Sequence, residues 1–183
     1  MNVPNCITMI RIVLVPVIVI FIIDGQALNA LLAFLLAGIG DALDGFFARA
    51  LNQQTALGAF LDPLADKLLL TTIYVVMAFY HLAPGWLAVM VASRDLLIVT
   101  GIAVLVWSNH FPVMKPTLDS KVTTFLQIVT MAYLFGKNYL ISFEWLAPWL
   151  LAATGVFTAI SGVRYIIIGF RLFEYSERNK TAK

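Results

Sequence analysis

Six apolar runs separated by short polar breaks constrain this chain more than any other feature of its sequence. They cover about Thr8 to Ile23, Ala27 to Leu43, Phe60 to Tyr80, Trp86 to Trp107, Val122 to Phe135 and Trp145 to Phe170. Each reads as a helix crossing a bilayer, whose hydrocarbon core takes about 20 helical residues. The breaks carry turn chemistry: Asp24-Gly25-Gln26, Asn52-Gln53-Gln54-Thr55, His81 to Gly85, Asn109 to Ser120 and Gly136 to Glu144. The expected fold is therefore an all-α integral membrane domain over residues 1–183, with six transmembrane helices and no soluble insertion. Composition agrees, since 61% hydrophobic and 12% charged residues suit lipid as solvent and exclude an ordinary soluble domain.

Charge placement gives the orientation. Arg11, Arg49, Lys115, Lys121 and the group Arg171, Arg178, Lys180 and Lys183 fall on one set of connections, whereas the opposite set holds Asp24, His81, Glu144 and the single cation Lys137. Basic residues near span ends stay cytoplasmic, so both termini are expected there. Trp86, Trp107, Trp145 and Trp149 lie near span ends, at headgroup level. The first run lacks the basic lead and small-residue cleavage pattern of a signal peptide and reads as a retained span. A net charge of +2, without a polybasic run, excludes nucleic acid as partner. Cys6 has no second cysteine for an internal disulfide. The segment from Arg171 to Lys183 reads as a cytoplasmic helix end and anchor.

The chemistry is concentrated in one hairpin. Ionisable groups are rare inside membrane segments because desolvating them is costly, yet Asp41, Asp44, Arg49, Asp62, Asp66 and Lys67 fall within 27 residues. Asp41 and Asp44 are three apart and Asp62 and Asp66 four apart, so each pair shares a helix face. Four converging carboxylates repel one another unless cations bind among them, and all-oxygen ligation favours magnesium, manganese or calcium over zinc. Read as ordinary polar caps, these acids would leave the paired spacing and the intervening arginine without a reason. Gly45 and Gly58 permit close approach of a helix or ligand, or simply close helix packing. Gly38 and Gly40 lack the strand and the third glycine of a dinucleotide fingerprint.

The run Asp41-Ala42-Leu43-Asp44-Gly45-Phe46-Phe47-Ala48-Arg49, with Gly58, Asp62 and Asp66 at their spacings, resembles the CDP-alcohol phosphotransferase signature at every fixed position. The opening from Pro4 to Arg11 and the six-span plan are similar as well. The resemblance implies a homodimer of six-helix subunits holding two divalent metals, Mg2+ or Mn2+. By position, Asp41, Asp44 and Asp62 would be metal ligands, with Asp66 both at the metal site and the general base. Gly45, Ala48, Arg49 and Gly58 would line the cytidine diphosphate pocket.

Acceptor choice is expected to rest on a second polar cluster. Arg94 and Asp95 lie inside span four, where they read as an acceptor site or as structural glue, and Lys115 and Lys121 flank span five as acceptor-binding cations or as snorkelling anchors. Ser93-Arg94-Asp95 and the stretch from Lys115 to Thr124 are similar to eukaryotic-type cardiolipin synthases, as is Asn2-Val3-Pro4-Asn5. Phosphatidylglycerophosphate synthases typically carry an arginine where this chain has Ala103, and Gly-Lys-Leu-Lys where it has Leu118-Asp119-Ser120-Lys121. A dianionic acceptor, glycerol 3-phosphate, would want those cations. The expected reaction is transfer of a phosphatidyl group from CDP-diacylglycerol to phosphatidylglycerol with release of CMP, the alternative acceptor being glycerol 3-phosphate. The expected setting is a bacterial inner membrane with a cytoplasmic active site, or a mitochondrial inner membrane. Membrane prenyltransferases fit less well, having two separated Asp-rich motifs. A cation transporter would spread its acids through the membrane thickness.

Overall fold

The computed structural model describes residues 3–50, 56–107, 118–137 and 143–181, and the side-chain surroundings of 12–40, 67–101, 119–137 and 143–169. Six helices and no strand lie among the described residues: α1 (Val3–Ile23), α2 (Ala27–Ala50), α3 (Ala56–Phe79), α4 (Gly85–Trp107), α5 (Leu118–Gly136) and α6 (Leu146–Thr181). The all-helical expectation holds, with one helix per apolar run. Among the described residues, the stretch Leu146–Gly169 of α6 is long and apolar enough to cross a membrane. Shorter apolar stretches occupy Ile12–Ile23, Ala27–Gly40 and Lys67–Phe79.

The helix ends follow from local chemistry. Gly25 has φ +70°, and the Gln26 and Gly25 amides donate to Phe21 O at 2.8 Å and Ile22 O at 3.1 Å. This is the Schellman closure, which a left-handed glycine makes at little cost. The same closure ends α3 at His81, φ 57°, where the Leu82 and His81 amides donate to Met77 O and Ala78 O. A β-carbon in that conformation is strained, so His81→Gly should stabilise the fold by about 1 kcal/mol. A rise in the thermal midpoint of the detergent-solubilised protein checks this, and a fall contradicts it.

α1 packs on α2 and α3, α3 on α4, and α4 and α5 on α6, while α5 also touches α2 and α3. Among the described residues, the apolar core collects at one end of the bundle. It takes Ile18 and Ile22 from late α1, Phe34 from α2, Ile73 and Met77 from late α3, Leu87 from early α4 and Phe135 from late α5. Beyond it the interior turns polar. Arg94, Asp95, Thr123, Gln127, Thr130, Thr154, Thr158 and Ser161 are buried, while Leu36, Val89, Leu96, Phe125 and Trp149 stand exposed. So many large apolar side chains on the outside depart from a soluble domain's surface.

Helix α5 is held to α6 by a polar seam. Thr123 Oγ1 donates to Phe157 O at 3.0 Å, Gln127 Nε2 to Thr158 Oγ1 at 3.3 Å, and the Thr130 and Thr154 hydroxyls lie 2.6 Å apart. Small residues bring α4 close to α6: a Cβ on Gly155 would stand 2.7 Å from the Trp86 ring, and one on Gly162 3.9 Å from Arg94 Cβ.

Candidate active site

The sequence places four aspartates on two helices, and the backbone gives each pair true helical spacing. Asp41 and Asp44 lie in α2, and Asp62 and Asp66 in α3. Asp44 precedes the end of α2 by six residues and Asp62 follows the start of α3 by six, about 9 Å of helix in each case. The two pairs are thus at matching distances from the connection. Gly45, Ala48 and Arg49 fall on the same end of α2, and Gly58 on the first turn of α3. The side chains of all these residues lie outside the described set, as does the whole of Lys115.

Directly after Asp66 the described site begins. Lys67 Nζ donates to Asp95 Oδ1 at 3.1 Å, Arg94 Nη1 donates to the same oxygen at 2.6 Å, and Thr71 Oγ1 donates to Asp95 Oδ2 at 2.9 Å. One buried carboxylate therefore gathers a lysine from α3 and an arginine from its own helix. Arg94, 3% exposed, is held from three further sides. Its Nη2 donates to Ser120 Oγ at 2.7 Å, its Nε lies 3.4 Å from Ser161 Oγ, and its Cζ lies 5.8 Å from the Tyr165 ring centroid. Such fixing of a guanidinium leaves little rotamer entropy to lose when an anion arrives.

These groups border a cleft of about 440 Å³ between α3, α4 and α5, whose charged lining is Lys67, Arg94, Asp95 and Lys121. Among the described lining residues three cations stand against one carboxylate, a balance suited to an anionic phosphate. Leu70, Phe125 and Ile128 line it too. Leu70 follows Asp62 and Asp66 at four-residue intervals along α3, so the cleft continues the helical row that carries the aspartates.

Of the expected acceptor residues, the structure brings Arg94 and Lys121 to one cleft. It adds Lys67, which the sequence marks only as a charge beside Asp66, and Ser120, Thr124 and Gln127. Ser120, Thr124, Gln127 and Thr130 recur at helical intervals in an otherwise apolar span, a polar stripe legible in the sequence. Asp119 is turned elsewhere, pairing with Arg164 of α6.

Comparison with known proteins decides the lineage. The family model of CDP-alcohol phosphatidyltransferases matches residues 1–167. The chain belongs to this family. As a CDP-alcohol phosphatidyltransferase it is an enzyme, a transferase of phospholipid biosynthesis. It is 34% identical to the CDP-diacylglycerol--glycerol-3-phosphate 3-phosphatidyltransferase of Bacillus subtilis, over 90% of this chain and 93% of the relative. It is 37% identical to the human cardiolipin synthase (CMP-forming), over 72% of this chain but 49% of that protein, so the match spans about half the human enzyme. A probable cardiolipin synthase (CMP-forming) of Drosophila melanogaster is 31% identical over 97% of this chain and 61% of its own length.

Proposed function

We propose that this phosphatidyltransferase makes cardiolipin, moving the phosphatidyl group of CDP-diacylglycerol onto phosphatidylglycerol and releasing CMP. The observation that carries the reading is the cleft that follows Asp66 along α3, whose described lining offers an acceptor phosphate the cations Lys67, Arg94 and Lys121. At the start of α5, outside the cleft, Asp119 supports a singly charged phosphodiester acceptor over dianionic glycerol 3-phosphate, because no added cation stands there. Where phosphatidylglycerophosphate synthases typically carry a lysine, this chain has an acid, paired with Arg164.

The donor set of the hairpin, four carboxylates from Asp41, Asp44, Asp62 and Asp66, fits two hard divalent cations such as Mg2+ or Mn2+. Bound there, such cations supply neutralisation of the diphosphate and of the departing CMP. Gly45, Ala48, Arg49 and Gly58 bind the cytidine diphosphate. Asp66 holds the proton given up by the acceptor hydroxyl as its oxygen bonds to the lipid-bearing phosphorus and the bond from that phosphorus to CMP breaks. Arg94 and Lys121 hold and orient the acceptor phosphate, and Lys115 belongs to the same acceptor set.

The six helices span the membrane with both termini cytoplasmic, and two copies form a homodimer. The apolar exterior and the buried polar interior support the membrane setting. Product analysis tests the acceptor: purified enzyme with CDP-diacylglycerol and magnesium is given phosphatidylglycerol or glycerol 3-phosphate in parallel. Cardiolipin and CMP from phosphatidylglycerol alone is the expected result. Phosphatidylglycerophosphate from glycerol 3-phosphate alone would assign the step that the Bacillus relative's name describes.

A further inference from the structure

We infer that the cleft is a track for a diacylated acceptor, with Phe125 and Ile128 of α5 and Leu70 of α3 holding its acyl chains. The inference rests on the cardiolipin reading and specifies what selects the acceptor. Helices α3 and α5 are linked at two levels, once through α4 and once directly. Lys67 reaches Ser120 through Asp95 and Arg94, and seven residues further along both helices the Tyr74 hydroxyl donates to Gln127 O at 2.8 Å.

Chemistry changes in order along that length. Asp66 comes first, then the cations Lys67, Arg94 and Lys121, then the polar Thr124 and Gln127, with Leu70, Phe125 and Ile128 as an apolar wall. A phospholipid orders its own groups the same way: headgroup alcohol, phosphate, glyceryl esters, acyl chains. The complementarity of charge to phosphate and of apolar wall to chain points to a lipid anion as occupant. A small soluble phosphate would use the cations and make no contact with the wall. Phe125 is 64% exposed, as a side chain serving lipid must be, and it sits one turn from Lys121.

Gln127 supplies a second, independent sign of a ligand. It is wholly buried and lines the cleft, yet its Oε1 has no hydrogen-bond partner. Turned over, the amide accepts the Thr158 hydroxyl and leaves its N–H donors for a lipid ester carbonyl, which satisfies both ends.

The test compares wild type with the double variant Phe125→Ala, Ile128→Ala in mixed micelles, reading CMP release. Acceptors are phosphatidylglycerol and its deacylated counterpart, glycerophosphoglycerol. The variant should raise the KM for phosphatidylglycerol by about tenfold or more, because apolar contact is lost. The KM for CDP-diacylglycerol and kcat/KM for glycerophosphoglycerol should stay at wild-type values, which also shows that the variant is folded. An unchanged KM for phosphatidylglycerol overturns the track, as does an equal loss on both acceptors, or a rise in the donor's KM, which would make the wall a donor site. Wild-type activity on glycerol 3-phosphate but not on phosphatidylglycerol overturns the acceptor reading itself.

Discussion

Asp66→Asn is expected to lower CMP release by at least about 10³-fold while the protein stays folded and membrane-inserted. The amide is nearly isosteric with the carboxylate but carries no charge and cannot accept a proton from the acceptor hydroxyl. In the proposed mechanism it therefore removes a base and an anionic ligand in one change. Asp62→Asn should be comparably damaging, since one negative donor of four is lost and charge neutralisation of the diphosphate depends on the set. Both residues lie on α3, one turn apart and before the cleft-lining Leu70. Rates are read with saturating donor and acceptor, and folding by elution profile and thermal midpoint. Full activity in either variant would remove these aspartates from the chemistry.

The largest stability effect is expected at Asp95, a buried carboxylate paired with both Arg94 and Lys67. Asp95→Ala would take from Arg94 and Lys67 the buried carboxylate they share and should cost about 3–5 kcal/mol, as breaking a buried ion pair does. The Asp95 side chain is 7% exposed and that of Arg94 3%, so solvent screens them little. Arg94→Leu should cost less, because Asp95 keeps Lys67 at 3.1 Å and Thr71 at 2.9 Å. Removing both charges together should be milder than the sum of the single changes. Chemical or thermal unfolding in one detergent orders the variants, and an Asp95→Ala protein as stable as wild type would contradict the network.

Much of the fold was legible because apolar run length is a direct consequence of lipid as solvent. The run from Trp86 to Trp107 matches α4 to within one residue. Where the expectation and the structure differ, the helix is longer than the run. Helix α2 continues seven residues past Leu43, and α5 begins four residues before Val122. Hydropathy marks where lipid begins, but a helix stops only where its backbone bonds are capped, as at Gly25 and His81. The polar ends that hydropathy missed are the ones bearing Asp44, Gly45, Ala48 and Arg49 on α2 and Asp119 and Ser120 on α5.

The site was legible to a different degree. Spacing alone picked out the aspartate pairs, since three and four residues are helical intervals, and hydropathy set Arg94 and Asp95 inside span four as an acceptor site or structural glue. Sequence could not give the partner set of Arg94, because Ser120 and Ser161 reach it from 26 and 67 residues away. Nor could it separate Lys121, which lines the cleft, from Asp119 two residues earlier, which is drawn off by Arg164. Which neighbour a side chain on a helix meets depends on tertiary packing, and local periodicity does not encode that.

CMP release from CDP-diacylglycerol, measured with purified enzyme and an acceptor lipid before and after chelation of divalent cations, probes the aspartate chemistry most directly. CMP should form only when donor, acceptor and cation are all present, fall to background with chelator, and return when magnesium is restored. Undiminished release in excess chelator, or the same rate without any acceptor, would contradict a cation-dependent phosphatidyl transfer at Asp41, Asp44, Asp62 and Asp66.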